Sequence, residues 1–159
     1  MQTVLYKRAT FVTHLPVEHL FTPSHNWLSR LPQEQNQPDR WRVGYTKFAL
    51  LMLGEIVDVQ LEKKAGEEIT PGDILGNIEG FKALSDLYSV GSGKFIRANP
   101  ELATSLERLA EKPYDEGWIF EFEGAPDSRA TDVNGYRNLL DATIDRMLQK
   151  EQESKASHE

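Results

Sequence analysis

The chain contains no cysteine. That absence excludes a disulfide framework, a thiolate metal site and a cysteine nucleophile, so any sulfur chemistry would have to arrive on a cofactor. No apolar run approaches the roughly 20 residues that a membrane-spanning helix needs. Lys7, Arg8, His14 and Glu18 interrupt the first segment, which predicts no secretory signal. Basic residues are outnumbered and scattered: 18 Lys and Arg against 25 Asp and Glu give a formal net charge of −7. Sign and distribution both argue against a nucleic-acid partner. The histidines, at 14, 19, 25 and 158, lack the spacing of a metal cluster. There is no G-x-G-x-x-G, Walker, H-E-x-x-H or G-x-S-x-G string, which leaves dinucleotide, nucleotide, zinc-protease and hydrolase readings without a motif. These absences predict a cytoplasmic protein without nucleic acid, membrane or metal among its partners.

What is present is enough for one domain. A chain of 159 residues buries about two-thirds of its unfolded surface on folding. The pattern divides into an N-terminal extension over 1–20, a single domain over 21–148 and a polar tail over 149–159 that is expected to fray. Phe21–Trp27 leads into a strand-like stretch, and the Gln-, Asn- and Pro-rich Leu31–Arg40 is a loop. Trp41, Val43 and Tyr45 share one face of a strand. Thr46 caps a short helix over Lys47–Leu53 that Gly54 stops, and the β-branched Ile56–Leu61 follows as a strand. Gly91-Ser92-Gly93 reads as a turn before a strand at Lys94–Ala98. Asn99-Pro100-Glu101 starts a helix whose apolar face is Leu102, Leu106 and Leu109. Trp118–Phe122 alternates as a half-buried strand and Gly124–Asp132 is a loop. Tyr136, Leu139, Leu140, Thr143, Ile144, Met147 and Leu148 recur at helical spacing and mark an amphipathic C-terminal helix. Many short strands with few helices predict a mainly β barrel or sandwich with peripheral helices, its core including Trp27, Trp41 and Trp118.

Lys82 is the residue hardest to assign to packing. It lies in Ile78-Glu79-Gly80-Phe81-Lys82-Ala83-Leu84-Ser85-Asp86, an apolar strand that turns at the lysine and returns as a second strand. A lysine at a turn is by default a solvated or edge-guarding residue. At a hairpin tip it also offers a single amine to a modifying enzyme. Glu79 and Asp86 read equally as solvated turn carboxylates or as groups that orient such an enzyme, and Phe81 as a partial plug of the core or a docking contact.

The setting is specific enough to carry a resemblance. Ile78-Glu79-x-x-Lys82-Ala83, with Gly72-Asp73-Ile74-Leu75 before it and Gly93 eleven residues after the lysine, resembles the attachment hairpin of lipoyl and biotinyl carrier domains. Biotinylation hairpins set Met on both sides of the lysine, where this chain has Phe81 and Ala83. His25-Asn26-Trp27, Val43-Gly44-Tyr45-Thr46-Lys47-Phe48-Ala49, Leu53-Gly54-Glu55-Ile56-Val57 and Pro113-Tyr114-Asp115-Glu116-Gly117-Trp118 stand in the order in which they occur in the glycine cleavage H-protein family. The resemblance runs from about His25 to Phe122. It implies a barrel-sandwich hybrid with a C-terminal helix and no catalysis of its own. It also implies lipoate on Lys82, with Glu79, Gly80, Phe81, Ala83 and Asp86 forming the hairpin surface that the attaching enzyme reads. His25 then either lines a groove for the arm or is a satisfied structural histidine.

The implied function is a lipoyl-lysine carrier that moves an aminomethyl group and reducing equivalents between enzymes. The implied partners are decarboxylating glycine dehydrogenase, aminomethyltransferase, dihydrolipoamide dehydrogenase and a lipoate ligase or lipoyl transferase, all visited by a monomer. The family sets Ser and Val between the Glu and the Lys, where this chain has Gly80 and Phe81. Two alternatives follow: an H-like lipoate-binding protein of sulfur metabolism or lipoyl relay, and an unmodified interaction module.

Overall fold

The computed structural model describes residues 1–157. The chain opens with a hairpin of β1 (Thr3–Arg8) and β2 (Phe11–Pro16), paired in register from Thr3 opposite Pro16 to Arg8 opposite Phe11. It continues through β3 (Leu20–Phe21), β4 (Asn26–Leu31), β5 (Arg40–Tyr45), α1 (Lys47–Leu53), β6 (Ile56–Leu61), β7 (Glu68–Ile69), β8 (Ile74–Gly80), β9 (Leu84–Tyr88) and β10 (Gly91–Ala98). A 3-10 turn at Pro100–Ala103, α2 (Arg108–Glu111), β11 (Trp118–Pro126) and α3 (Val133–Ala156) complete it.

Two sheets enclose the main core. One has the order β3-β4-β5-β11-β10-β7 and the other β6-β8-β9, with every pairing antiparallel. Leu28, Val43, Phe95, Phe120 and Phe122 from the first meet Leu75, Ile78 and Leu87 from the second, and Leu50, Leu53 and Leu109 close one end. Each such side chain contributes about 1.5–3 kcal/mol by leaving water. This is the mainly β barrel-sandwich architecture that the sequence predicts. Trp27, Trp41 and Trp118 are all buried, as expected. A second core lies behind the first, where α3 presents Tyr136, Leu140 and Ile144 to Phe21, Trp27 and Phe48.

Local signals set several boundaries as read. Thr46 accepts from Ala49 N at the start of α1, and Gly54, at φ 78°, donates its backbone N–H to Leu50 O at the end. Elsewhere tertiary contacts override the pattern. The stretch that Phe21–Trp27 leads into is β4, and within the lead a turn at Thr22–His25, closed by His25 N donating to Thr22 O at 3.0 Å, separates it from the short β3. Gly91-Ser92-Gly93 belongs to β10, because Gly93 and Gly124 let the two backbones touch where a Cβ on Gly93 would stand 1.8 Å from Glu123 O. β11 accordingly runs on to Pro126, into the expected loop. Asn99 caps as predicted, its Oδ1 accepting from Glu101 N. The expected continuous helix nonetheless breaks at Thr104-Ser105, residues that bond readily to nearby backbone; Thr104 Oγ1 donates to Glu101 O. Leu109 is buried while Leu102 and Leu106 are half-buried.

Both ends are more ordered than their composition predicts. Within the extension over residues 1–20, Tyr6 and Leu15 are buried in the second core. The polar segment from Gln149 continues α3 as far as Ala156. His158 and Glu159 fall outside the described residues.

Candidate functional site

Lys82 sits at the tip between β8 and β9, with its side chain exposed. The tip is not a free bend. Gly80 N donates to Ala83 O at 2.9 Å across the turn, Phe81 N to Glu55 O at 3.0 Å and Lys82 N to Leu53 O at 2.9 Å. The last two bonds dock the hairpin on the C-terminal end of α1, where helix carbonyls lack intrahelical partners. Glycines make the contact possible. A Cβ on Gly80 would stand 2.1 Å from Leu53 O, and one on Gly54 would lie 3.0 Å from Lys82 Cγ. Gly80 thus acts through what it lacks, and Lys82 is presented from a backbone fixed by three hydrogen bonds.

The surface around the lysine is acidic and apolar. Leu84 lies opposite Glu79 on one side and Asp58 opposite Glu79 on the other. Asp86 stands two residues further along β9, with Tyr88 Oη at 3.5 Å from its carboxylate. Glu79, Ala83 and Asp86 are exposed. Phe81 is 76 % and Leu84 69 % exposed, so Phe81 is no plug of the core. Residues 79–86 therefore come together as one surface.

His25 does not join them. It adopts φ 63°, its ring lies 4.8 Å from that of Phe48, and Nδ1 is 2.9 Å from Tyr136 Oη. Tyr136 Oη in turn bonds Thr46 Oγ1 at 2.7 Å. Burial holds the imidazole well below its ordinary pKa, at about 4. His25 is a packed, hydrogen-bonded histidine under α1.

A cavity of about 640 Å³ lies along α1, bordered by Lys82. Leu50, Leu51, Ile56, Leu106 and Ala110 give it an apolar lining, and Lys47, Glu55, Glu107 and Glu111 give it charged groups. His25 is not among its walls. These residues were missed in the sequence, although a signal was there. Six apolar residues in succession, Phe48–Leu53, are too many for one buried stripe on a helix of seven; Leu51 remains 47 % exposed. Among the described residues, no group of three His, Asp or Glu could hold a metal ion. No helix among them is long and apolar enough to cross a membrane.

An exposed lysine on a braced hairpin, beside a lined cavity and within a barrel-sandwich, defines a carrier domain. The comparisons give the family. The model of the glycine cleavage H-protein family matches residues 19–151. The glycine cleavage system H protein of Kocuria rhizophila is 36 % identical over 134 residues, covering 82 % of this chain and all of the relative. That of Nocardia farcinica is 37 % identical over 127 residues, covering 80 % and 90 %. The crystal structure of the H protein from Mycobacterium marinum superimposes with a TM-score of 0.67 at 27 % identity, covering 78 % of this chain and 97 % of that one. The chain belongs to the glycine cleavage H-protein family. Its role is that of a carrier subunit of the glycine cleavage system, not of a catalyst.

Proposed function

We propose that Lys82 is the lysine of this chain that carries lipoate. The observation that supports this most is the exposed amine on a hairpin tip whose backbone is bonded to Leu53 and Glu55. Acylation would form an amide between Lys82 Nζ and the lipoyl carboxyl carbon as the bond from that carbon to its activating group, supplied by the attaching enzyme, breaks; the ammonium gives up the proton that carries its charge, and the amine a further one as the bond forms. When attached, the group supplies a dithiolane that accepts the aminomethyl unit and two electrons.

The rest is done by this chain's residues. The fixed tip gives the attaching enzyme a preformed surface, with Glu79 and Asp86 as the charges and Phe81 and Ala83 as the apolar contacts beside the amine. That enzyme is a lipoate ligase or a lipoyl transferase. Gly80 keeps the tip seated on α1. Leu50, Leu51, Ile56 and Leu106 offer an apolar floor to a tethered hydrocarbon arm, and Glu55, Glu107 and Glu111 offer carboxylates to a terminal ammonium. No cysteine is present to attack the dithiolane by exchange.

The chain would present Lys82 in turn to decarboxylating glycine dehydrogenase, aminomethyltransferase and dihydrolipoamide dehydrogenase in the cytoplasm. Tethering supplies the local concentration each encounter needs, and a monomer leaves the tip open to all three.

Intact mass of the protein from its native host tests the proposal. One added lipoyl group, absent from Lys82→Arg, is the expected result. An unshifted mass in lipoate-replete cells would overturn it and favour an unmodified interaction module.

A further inference from the structure

The family match begins at residue 19, so the β1–β2 hairpin lies outside it. The hairpin is nonetheless bonded to both sides of the cavity beside Lys82. α1 supplies Leu50 and Leu51 to that cavity, with Gly54 just past its end, and the segment leading into Pro113 supplies Leu106, Glu107 and Ala110. Tyr114, the next residue, joins the two. Its hydroxyl accepts from Lys47 N at 3.2 Å, at the first residue of α1, and shares a hydrogen bond of 3.0 Å with Thr13 Oγ1 on β2. Lys47 Nζ donates to Val12 O at 2.9 Å, so the hairpin also fixes a cation that borders the cavity. Phe11 meets the ring of Phe48 edge-on, with centroids 5.5 Å apart and planes at 88°. Phe48 and Leu50 are two positions apart, which places them about 200° around the helix. Leu51, another cavity residue on this helix, is three positions from Phe48 and so only about 60° away, and the hairpin therefore bears on the flank of α1 that adjoins the cavity.

Thr13 makes this a specified contact and not generic packing. It is 3 % exposed, and a hydroxyl removed from water is costly unless it is paired. Its side-chain partner here is Tyr114. A valine would fill the same space without the link.

We propose that the N-terminal hairpin is a positioning element of the carrier site. Thr13, through Tyr114, sets the spacing between α1 and Leu106–Glu111, and with it the width of the cavity and the seating of the Lys82 tip on Leu53 and Glu55. That the cavity receives the arm rests on the function proposed above; the geometry of its walls does not.

Hydrogen exchange on the unacylated chain tests this in Thr13→Val, which removes only the hydroxyl, and in Tyr114→Phe, which cuts both links and keeps the ring. In each, the amides of Leu50, Gly54, Phe81 and Lys82 should exchange about fivefold faster, while the β10–β11 ladder keeps its rates, because opening is local. Unchanged exchange at these four amides would overturn the proposal. So would an acceleration spread equally over β10 and β11, which would mean general destabilisation. Intact mass of the same variants reports lipoyl attachment separately, so a chain that is never lipoylated and a hairpin that positions nothing give different results.

Discussion

The tip of the β8–β9 hairpin meets α1 through its backbone, whereas the β1–β2 hairpin meets the rest of the fold mainly through side chains. At the first, Phe81 N and Lys82 N bond the carbonyls of Glu55 and Leu53, and glycines at 54 and 80 clear the space. At the second, Tyr6 donates to Asp141, Arg8 pairs with Asp145, and Phe11 and Leu15 pack on the second core. The division follows from what each surface has to keep free. Backbone docking leaves Phe81, Lys82 and Leu84 exposed for a partner, while side-chain docking consumes the residues that make it.

The sharpest way to break this contrast is to give the β8–β9 tip a side chain where it has none. In Gly80→Val, the new Cβ falls 2.1 Å from Leu53 O, and backbone cannot yield as a flexible side chain would. Overpacking of this kind costs about 3 kcal/mol. Urea unfolding should register that loss. Lipoylation should fall with it, because the tip would have to leave α1. A variant that keeps wild-type stability and full modification would show that the docking bonds do not position Lys82.

How much of this was legible in the sequence depended on the kind of signal. α1 and β6 were read to the residue, since Thr46, Gly54 and a β-branched run are local devices that act within one turn or strand. The Lys82 hairpin was legible for the same reason, its strands and turn being contiguous. The cavity was not, because it joins Leu50 to Leu106 across more than fifty residues, and no local pattern reports that two exposed faces meet. The same applies to residues 1–20. They were read as an N-terminal extension, yet alternation along β1 and β2 sends Tyr6, Thr13 and Leu15 inward. His25 was read both as groove and as structure. Its bond to Tyr136, which favours the structural reading, comes from α3 more than a hundred residues away.

His25 also lets pH probe the seam between the two cores. Its imidazole is held at about 4 by burial, below the ordinary value of 6.5. An unfolded chain therefore takes up a proton on this ring more readily than the folded one. The stability that His25 contributes is complete above pH 6.5 and is lost as pH falls toward 4. Complete burial would make this depression worth about 3 kcal/mol; for a ring that is only half-buried, about 2 kcal/mol is expected. Asparagine tolerates a positive φ, so His25→Asn should keep the turn and flatten that part of the pH profile in urea unfolding. Burial lowers His19 as well, which leaves a residual slope in the variant. An unaltered profile would place the titrating group elsewhere.

The smallest effect separates the contributions within the β1–β2 hairpin. Tyr6 is 4 % exposed and its hydroxyl donates to Asp141 at 2.8 Å, so Tyr6→Phe removes a hydrogen bond without opening a void. About 1 kcal/mol should be lost. Arg8 pairs with Asp145 from solvent, both side chains being 40 % or more exposed. Exposed pairs are screened and ordered at an entropic cost, so Arg8→Ala should leave the denaturation midpoint nearly unchanged, and any shift should vanish in high salt. If Arg8→Ala proved the more costly of the two, the hairpin would be held by surface charge and not by its buried contacts, and the contrast with the β8–β9 tip would rest on electrostatics instead of packing.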